Sequence, residues 1–163
     1  KRALVIGITY AGSPWFIDGS HNDCKNMIKY LKEVHNFKND EITILMDSGQ
    51  HTDPTRANIE KAFHDLATSC QPGDAVFFHY AGHGGTTPHM NGDESDGLDE
   101  SMYPVDYMDN GEIIDDDIFI KLLVPLPQGV HMTAVVDCCH SGGIFDLPFE
   151  YDKKMRKANY KAV

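Results

Sequence analysis

Four stretches of the chain are apolar or alternate between apolar and polar residues: 3–8, 41–46, 74–80 and 130–136. Each is short, rich in β-branched or aromatic residues, and bounded by turn formers, the pattern of strands in a sheet. The first, third and fourth are nearly unbroken, which predicts burial on both faces. Between the first two, Cys24, Met27, Ile28, Leu31 and Val34 recur at helical spacing, predicting a helix that begins at Asp23. A second helix is predicted after Asp53-Pro54, with Asp53 as N-cap and Pro54 at the first helical position. Its apolar stripe is Ile59, Ala62, Phe63, Leu66, Ala67 and Cys70, and Pro72-Gly73 ends it. Residues 84–100 read as a long acidic loop, 102–105 as a short edge strand, and Asn110-Gly111 as a hairpin turn. Residues 115–124 read as a third helix, with acids at its positive end and Pro125 and Pro127 beyond it. Strands alternating with helices predict an α/β fold: a three-layer α/β/α sandwich around a mainly parallel sheet.

Two of the predicted strands end in chemistry. After 130–136 comes Asp137-Cys138-Cys139-His140-Ser141-Gly142-Gly143, and after 74–80 comes Ala81-Gly82-His83-Gly84-Gly85. Open α/β sheets bind and transform ligands at the carboxyl ends of their strands. If these two strands are parallel neighbours, His83 and a cysteine share one edge. An imidazole beside a thiol makes the thiolate available near neutral pH, the requirement for a cysteine nucleophile. Gly84, Gly142 and Gly143 let backbone N–H groups come close enough to a substrate to hold a developing oxyanion.

Composition narrows the partners. In 163 residues, 14 Lys and Arg against 25 Asp and Glu give a net charge of −11. Nucleic acid and anionic membranes require a basic face, so neither is expected as a partner; cations and basic substrates are. No apolar run reaches the roughly 20 residues of a membrane helix. The acids are concentrated: no Lys or Arg occurs between Lys61 and Lys121. Cys24, Cys70, Cys138 and Cys139 are not spaced as a disulfide framework, which predicts a reducing, cytoplasmic setting. The chain opens on Lys1 rather than Met, as a piece of a longer protein does.

His79-Tyr80-Ala81-Gly82-His83-Gly84-Gly85 together with Asp137-Cys138-Cys139-His140-Ser141-Gly142 resembles the metacaspases, within the caspase-like cysteine peptidases. Residues 3–8, His21-Asn22-Asp23, Tyr103-Pro104-Val105-Asp106 and Ile114-Asp115-Asp116 fit the same pattern in order. The resemblance covers the family's large-subunit region. It implies a caspase-like fold over 1–151 followed by a basic tail or inter-subunit linker over 152–163. The implied catalytic pair is His83 and Cys139, with the backbone of Gly84 and Cys139 as the oxyanion site. Cys138 then stands where many members have Ser, and His140 is structural.

The resemblance further implies a cysteine endopeptidase that cuts protein or peptide substrates after Arg or Lys, with Asp23 and Asp137 holding the basic side chain. Carboxylates suit an ammonium or guanidinium, and Arg allows bidentate pairing. It implies Ca2+ held by Asp99, Asp115, Asp116 and Asp146, oxygen ligands of the kind calcium takes. It implies a downstream small-subunit region as partner, and a catalytic unit that is monomeric. The gap in Lys and Arg across residues 62–120 leaves an enzyme of this specificity no site to cut in its own active-site loops. The basic residues of 153–161 are therefore the expected place of self-cleavage.

Two positions depart from many relatives: Ala81 replaces a Ser that can line the basic pocket, and Ser20 stands where some have Cys. A competing reading is a non-catalytic calcium-binding or scaffold domain on the same fold, though such a domain has no need of both His83 and Cys139. A zinc hydrolase using His79, His83 and a cysteine fits poorly, because the two histidines fall on a predicted strand and no Glu follows the first. An EF-hand in 91–100 fails because its sixth position is Asp96 rather than Gly.

Overall fold

The computed structural model describes residues 1–88, 98–145, 147–152 and 157–160. Its centre is a four-stranded, all-parallel sheet formed by β1 (Arg2–Gly7), β2 (Ile42–Met46), β3 (Ala75–Ala81) and β7 (His131–Asp137), in the order β2-β1-β3-β7. Alternate residues of a strand point to opposite faces, and β1 divides its side chains accordingly. Leu4 and Ile6 join one apolar cluster with α2 (Arg56–Ser69), while Ala3 and Val5 join another with α1 (Ser20–His35). The first cluster also takes in Ile118 and Leu122 from α4 (Asp115–Ile118) and the π-helical turns Phe119–Leu123 that continue it. Helices therefore cover both faces of a mainly parallel sheet, as the alternating pattern predicts.

The local corrections have local causes. Asp23 is not the residue that opens α1. The helix starts at Ser20 with Gly19, at φ 103°, as its cap, and Asp23 sits inside the first turn with its N–H donating to the Gly19 carbonyl. The cap of α2 is Thr55 rather than Asp53, its hydroxyl accepting the Asn58 N–H. Asn110-Gly111 is not a hairpin turn: Tyr107–Asn110 forms a single helical turn, α3, closed by Gly111 at φ 77°.

Residues 84–100 are not simply a loop. Gly84–Pro88 (β4) pairs antiparallel with Leu98–Met102 (β5), and β5 also pairs with Ile113–Ile114 (β6). The expected edge strand is thus the middle strand of a small sheet, displaced toward the N-terminus. Polar residues such as Thr86, Thr87 and Glu100 hide this strand pair from a hydrophobicity reading. Beyond Pro148, Phe149–Asp152 (β8) and Lys157–Tyr160 (β9) pair as an antiparallel ribbon.

The largest correction concerns β7. The run 130–136 predicts a strand buried on both faces, but β7 is an edge strand, and Thr133, Ala134 and Val135 are exposed. Its apolar residues pack on β3 along one edge; among the described residues no strand pairs with the other. No described helix is long and apolar enough to cross a membrane.

Candidate active site

β3 and β7 pair in parallel from Ala75↔His131 to Ala81↔Asp137, so both strands stop at one level. The segments carrying His83 and Cys139 leave the sheet side by side. They touch: a Cβ on Gly84 would collide with the Cys139 carbonyl oxygen and would lie 2.7 Å from the Cys138 sulfur. Glycine at 84 therefore lets the two main chains meet.

His83 is held at three of its four polar atoms. Its backbone N–H donates to the Tyr10 hydroxyl at 3.0 Å, and its carbonyl accepts from the Tyr80 hydroxyl at 2.7 Å. The Tyr10 hydroxyl in turn donates to the Tyr103 carbonyl at 2.6 Å, and the Tyr103 N–H donates to the Tyr80 hydroxyl at 3.2 Å. Burial pushes the Tyr10 hydroxyl up to about 12 and that of Tyr80 well above its ordinary value, so both stay protonated as donors. The imidazole lies 4.7 Å, centroid to centroid, from the Tyr10 ring. Its Nε2 lies 2.7 Å from the Trp15 carbonyl. A carbonyl only accepts, so Nε2 carries the hydrogen and Nδ1 keeps its lone pair, free to take a thiol proton. The sequence reading missed Tyr10, Tyr80 and the Trp15 carbonyl, because backbone partners leave no residue-type signature.

The two adjacent thiols differ. Cys138 is half-buried against Gly84, and burial, with Cys139 and Asp137 adding to it, pushes its thiol up to about 12. Such a thiol is inert near neutral pH. Cys139 is exposed. His140 follows at φ 53°, a left-handed turn that swings the chain away directly after Cys139. Among the described residues Cys139 and His83 are not hydrogen-bonded to each other; catalytic hydrogen bonds of this kind commonly tighten only with substrate.

A cavity of about 480 Å3 is lined by Asp23, Asn26, Tyr30, His79, Val135 and Asp137, the last two residues before Cys139 in the chain being Asp137 and Cys138. Asp23 reaches it from the first turn of α1 and Asp137 from the end of β7. Two carboxylates in one partly enclosed space suit a cationic side chain.

The third cluster is acidic. Asp115 is buried and accepts the Glu100 N–H at 2.9 Å. Burial, with the charges of Asp99 and Glu100 adding to it, pushes its carboxyl up to about 6. Gly143 lies against the Glu100 carboxylate. Asp117 belongs to a different set, paired at 2.8 Å with both Arg56 and Lys121. The donors around Asp115 are hard oxygens of the kind calcium takes, and a carboxyl raised chiefly by burial is one that a bound cation would relieve. Among the described residues no three ligating side chains stand close enough to form a metal group by themselves; Asp146 lies outside the described residues.

Residues 1–148 match the family described as "Metacaspase, peptidase C14 domain". The chain is 48% identical over 153 residues to Metacaspase III c of Phaeodactylum tricornutum, covering 93% of this chain and 45% of that protein. It is 46% identical over 153 residues to Metacaspase-1 of Coccidioides immitis, covering 93% of this chain and 33% of that one. The chain thus spans less than half the length of these curated relatives. A crystal structure of a Geobacter sulfurreducens protein superposes with a TM-score of 0.68 at 28% identity, covering 95% of this chain and 58% of that one.

Proposed function

This chain belongs to the metacaspase family of peptidase C14 domains, and from that membership we propose that it forms the catalytic region of a cysteine endopeptidase cutting after Arg or Lys. The observation that carries the proposal is the contact between the two strand-end segments, with an exposed Cys139 on one and a doubly anchored His83 on the other. In the proposed reaction His83 Nδ1 takes the Cys139 proton, and the sulfur attacks the scissile carbonyl. The oxyanion is met by the N–H groups of Gly84 and Cys139. The imidazolium returns its proton to the leaving amine, and water then hydrolyses the thioester with His83 as base. The shared cavity of Asp23 and Asp137 supports a basic residue before the cut.

Asp99, Asp115, Asp116 and Asp146 are the proposed calcium ligands. When bound, the ion supplies positive charge to a cluster in which Asp115 is otherwise costly to ionise. The edge of β7 that no strand pairs with among the described residues supports pairing with a strand of a downstream small-subunit region, since an unpaired edge is a template for another strand. Self-cleavage is proposed among the basic residues of 153–161, in a catalytic unit that acts as a monomer. The four free cysteines fit a reducing, cytoplasmic setting.

The test is hydrolysis of short Arg, Lys and Asp peptides by wild type and Cys139→Ala, with calcium and with chelator. Arg or Lys cleavage lost in the variant supports the reading. Cleavage after Asp, or unchanged cleavage by Cys139→Ala, overturns it.

A further inference from the structure

His79 lies on β3 two residues before Ala81, on the face covered by α1, between Val5 on one side and Val135 on the other. It is 2% exposed. Its Nδ1 lies 3.0 Å from the Val135 carbonyl, and since a carbonyl only accepts, Nδ1 carries the hydrogen. In a neutral ring Nε2 is then a bare acceptor. Nε2 is buried and has no hydrogen-bond partner among the described residues. A buried polar atom without a partner is costly and uncommon in folded proteins.

The same imidazole lines the cavity that holds Asp23 and Asp137. Both carboxylates act on it electrostatically, yet burial outweighs them and holds its pKa below the ordinary histidine value, so the ring is neutral at neutral pH. This matters for sign. A neutral ring offers a lone pair, whereas an imidazolium offers a donor and a charge that repel a cation. A lysine ammonium has three N–H donors and an arginine guanidinium five, more than a single carboxylate accommodates. The cavity has two carboxylates, and position 81, one step further out on the same face, is Ala and contributes no polar atom.

We propose that His79 is a specificity-determining residue: its unprotonated Nε2 is the third acceptor of the pocket, taking an N–H of the bound lysine or arginine side chain alongside Asp23 and Asp137. The inference rests on the cavity being the site of the basic side chain. It explains why a histidine occupies a buried strand position between two valines, where an apolar residue would leave no orphaned nitrogen.

The experiment compares wild type, His79→Phe, His79→Gln, Asp23→Asn and Asp137→Asn of the full-length protein on Arg and Lys peptides. His79→Phe keeps the ring and removes the acceptor; its expected effect is a KM raised roughly 10- to 100-fold, the scale of a lost hydrogen bond to a charged group, with the smaller change in kcat. His79→Gln, which retains an acceptor, is expected to recover part of the loss. A second measurement needs no variant: the 15N resonance of His79 Nε2 is followed on titration with agmatine, the arginine side chain carrying a primary amine at the other end of its alkyl stem. A shift toward the hydrogen-bonded position is expected. No change at agmatine concentrations that inhibit cleavage overturns the proposal. So does a KM within twofold of wild type for His79→Phe while Asp23→Asn and Asp137→Asn raise it strongly, a result that leaves the acidic pocket standing. If the two Asp→Asn variants also leave KM unmoved, the pocket reading itself falls and this inference falls with it.

Discussion

The hydroxyl of Tyr10 accepts the backbone N–H of His83 across 73 residues of sequence, at 3.0 Å, while its ring stacks obliquely on the imidazole. The left-handed backbone of Tyr10, at φ 54°, is a conformation that residues other than glycine seldom adopt. The segment after β1 is thus bent to place one side chain beneath the candidate catalytic histidine. Together with the Trp15 carbonyl on Nε2, it makes the 10–15 segment a support for the imidazole.

Replacing Tyr10 by Phe leaves the His83 N–H without its acceptor but keeps the ring. The expected cost is ~1–2 kcal/mol of stability, that of a buried hydrogen bond lost with one partner left behind. Cleavage is expected to fall by roughly tenfold or more, mainly in kcat, because the imidazole is less well aimed. Chemical denaturation and steady-state kinetics check both; an unchanged kcat would show that the ring contact alone suffices.

Gly84→Ala tests the contact between the two strand-end segments. The new Cβ meets the Cys139 carbonyl, which is main chain and has no flexible end to move. Stability is expected to drop by ~1–3 kcal/mol through overpacking, with cleavage lost more completely than in Tyr10→Phe. A fully active Gly84→Ala enzyme would mean that the segments separate without consequence.

Thiol reactivity should divide the adjacent cysteines. At pH 7, iodoacetamide is expected to modify Cys139 and spare Cys138, whose buried thiol is pushed up to about 12, along with Cys24, which burial also pushes up to about 12. Fragment-ion mass spectrometry between positions 138 and 139 reads the result. In denaturant all four cysteines are expected to react. Faster modification of Cys138 in the native protein would reverse the assignment of the nucleophile.

Asp115 predicts a pH-dependent stability with a definite sign. Its folded-state pKa, about 6, is above that of an unfolded aspartate, so its contribution is fully present below about pH 4 and is lost as pH rises through about 6. In chelator at pH 7, Asp115→Asn is therefore expected to stabilise the fold, on the order of 2 kcal/mol. Calcium is expected to raise the Tm of wild type and to raise that of the variant less. Thermal unfolding from pH 4 to 8, with chelator and with calcium, checks this, and a wild-type Tm indifferent to calcium at pH 7 would argue against the metal.

Much was legible in the chain itself. The apolar runs and helical stripes specify the sheet, α1 and α2, because burial selects residue type position by position. The strand-end motifs with His83 and Cys139 stand out because their chemistry requires those residue types. What one dimension cannot carry is which partners cover a given surface. The run 130–136 reads as buried, yet β7 is an edge strand, since hydrophobicity records what a strand can pair with and not what pairs with it in this chain. Asp23 reads from periodicity only as the start of a helix, and the packing of α1 against β1 and β3 is what brings it into one cavity with Asp137 and His79. Tyr10, Tyr80 and Trp15 were silent for a related reason: the two hydroxyls hold the backbone of His83 and the Trp15 carbonyl holds its imidazole, bonds set by how the chain folds around His83 and not by residue type. Sequence determined which reactive groups this protein possesses; the tertiary structure decided how their protonation and orientation are controlled, because burial and backbone contacts arise only when distant segments meet.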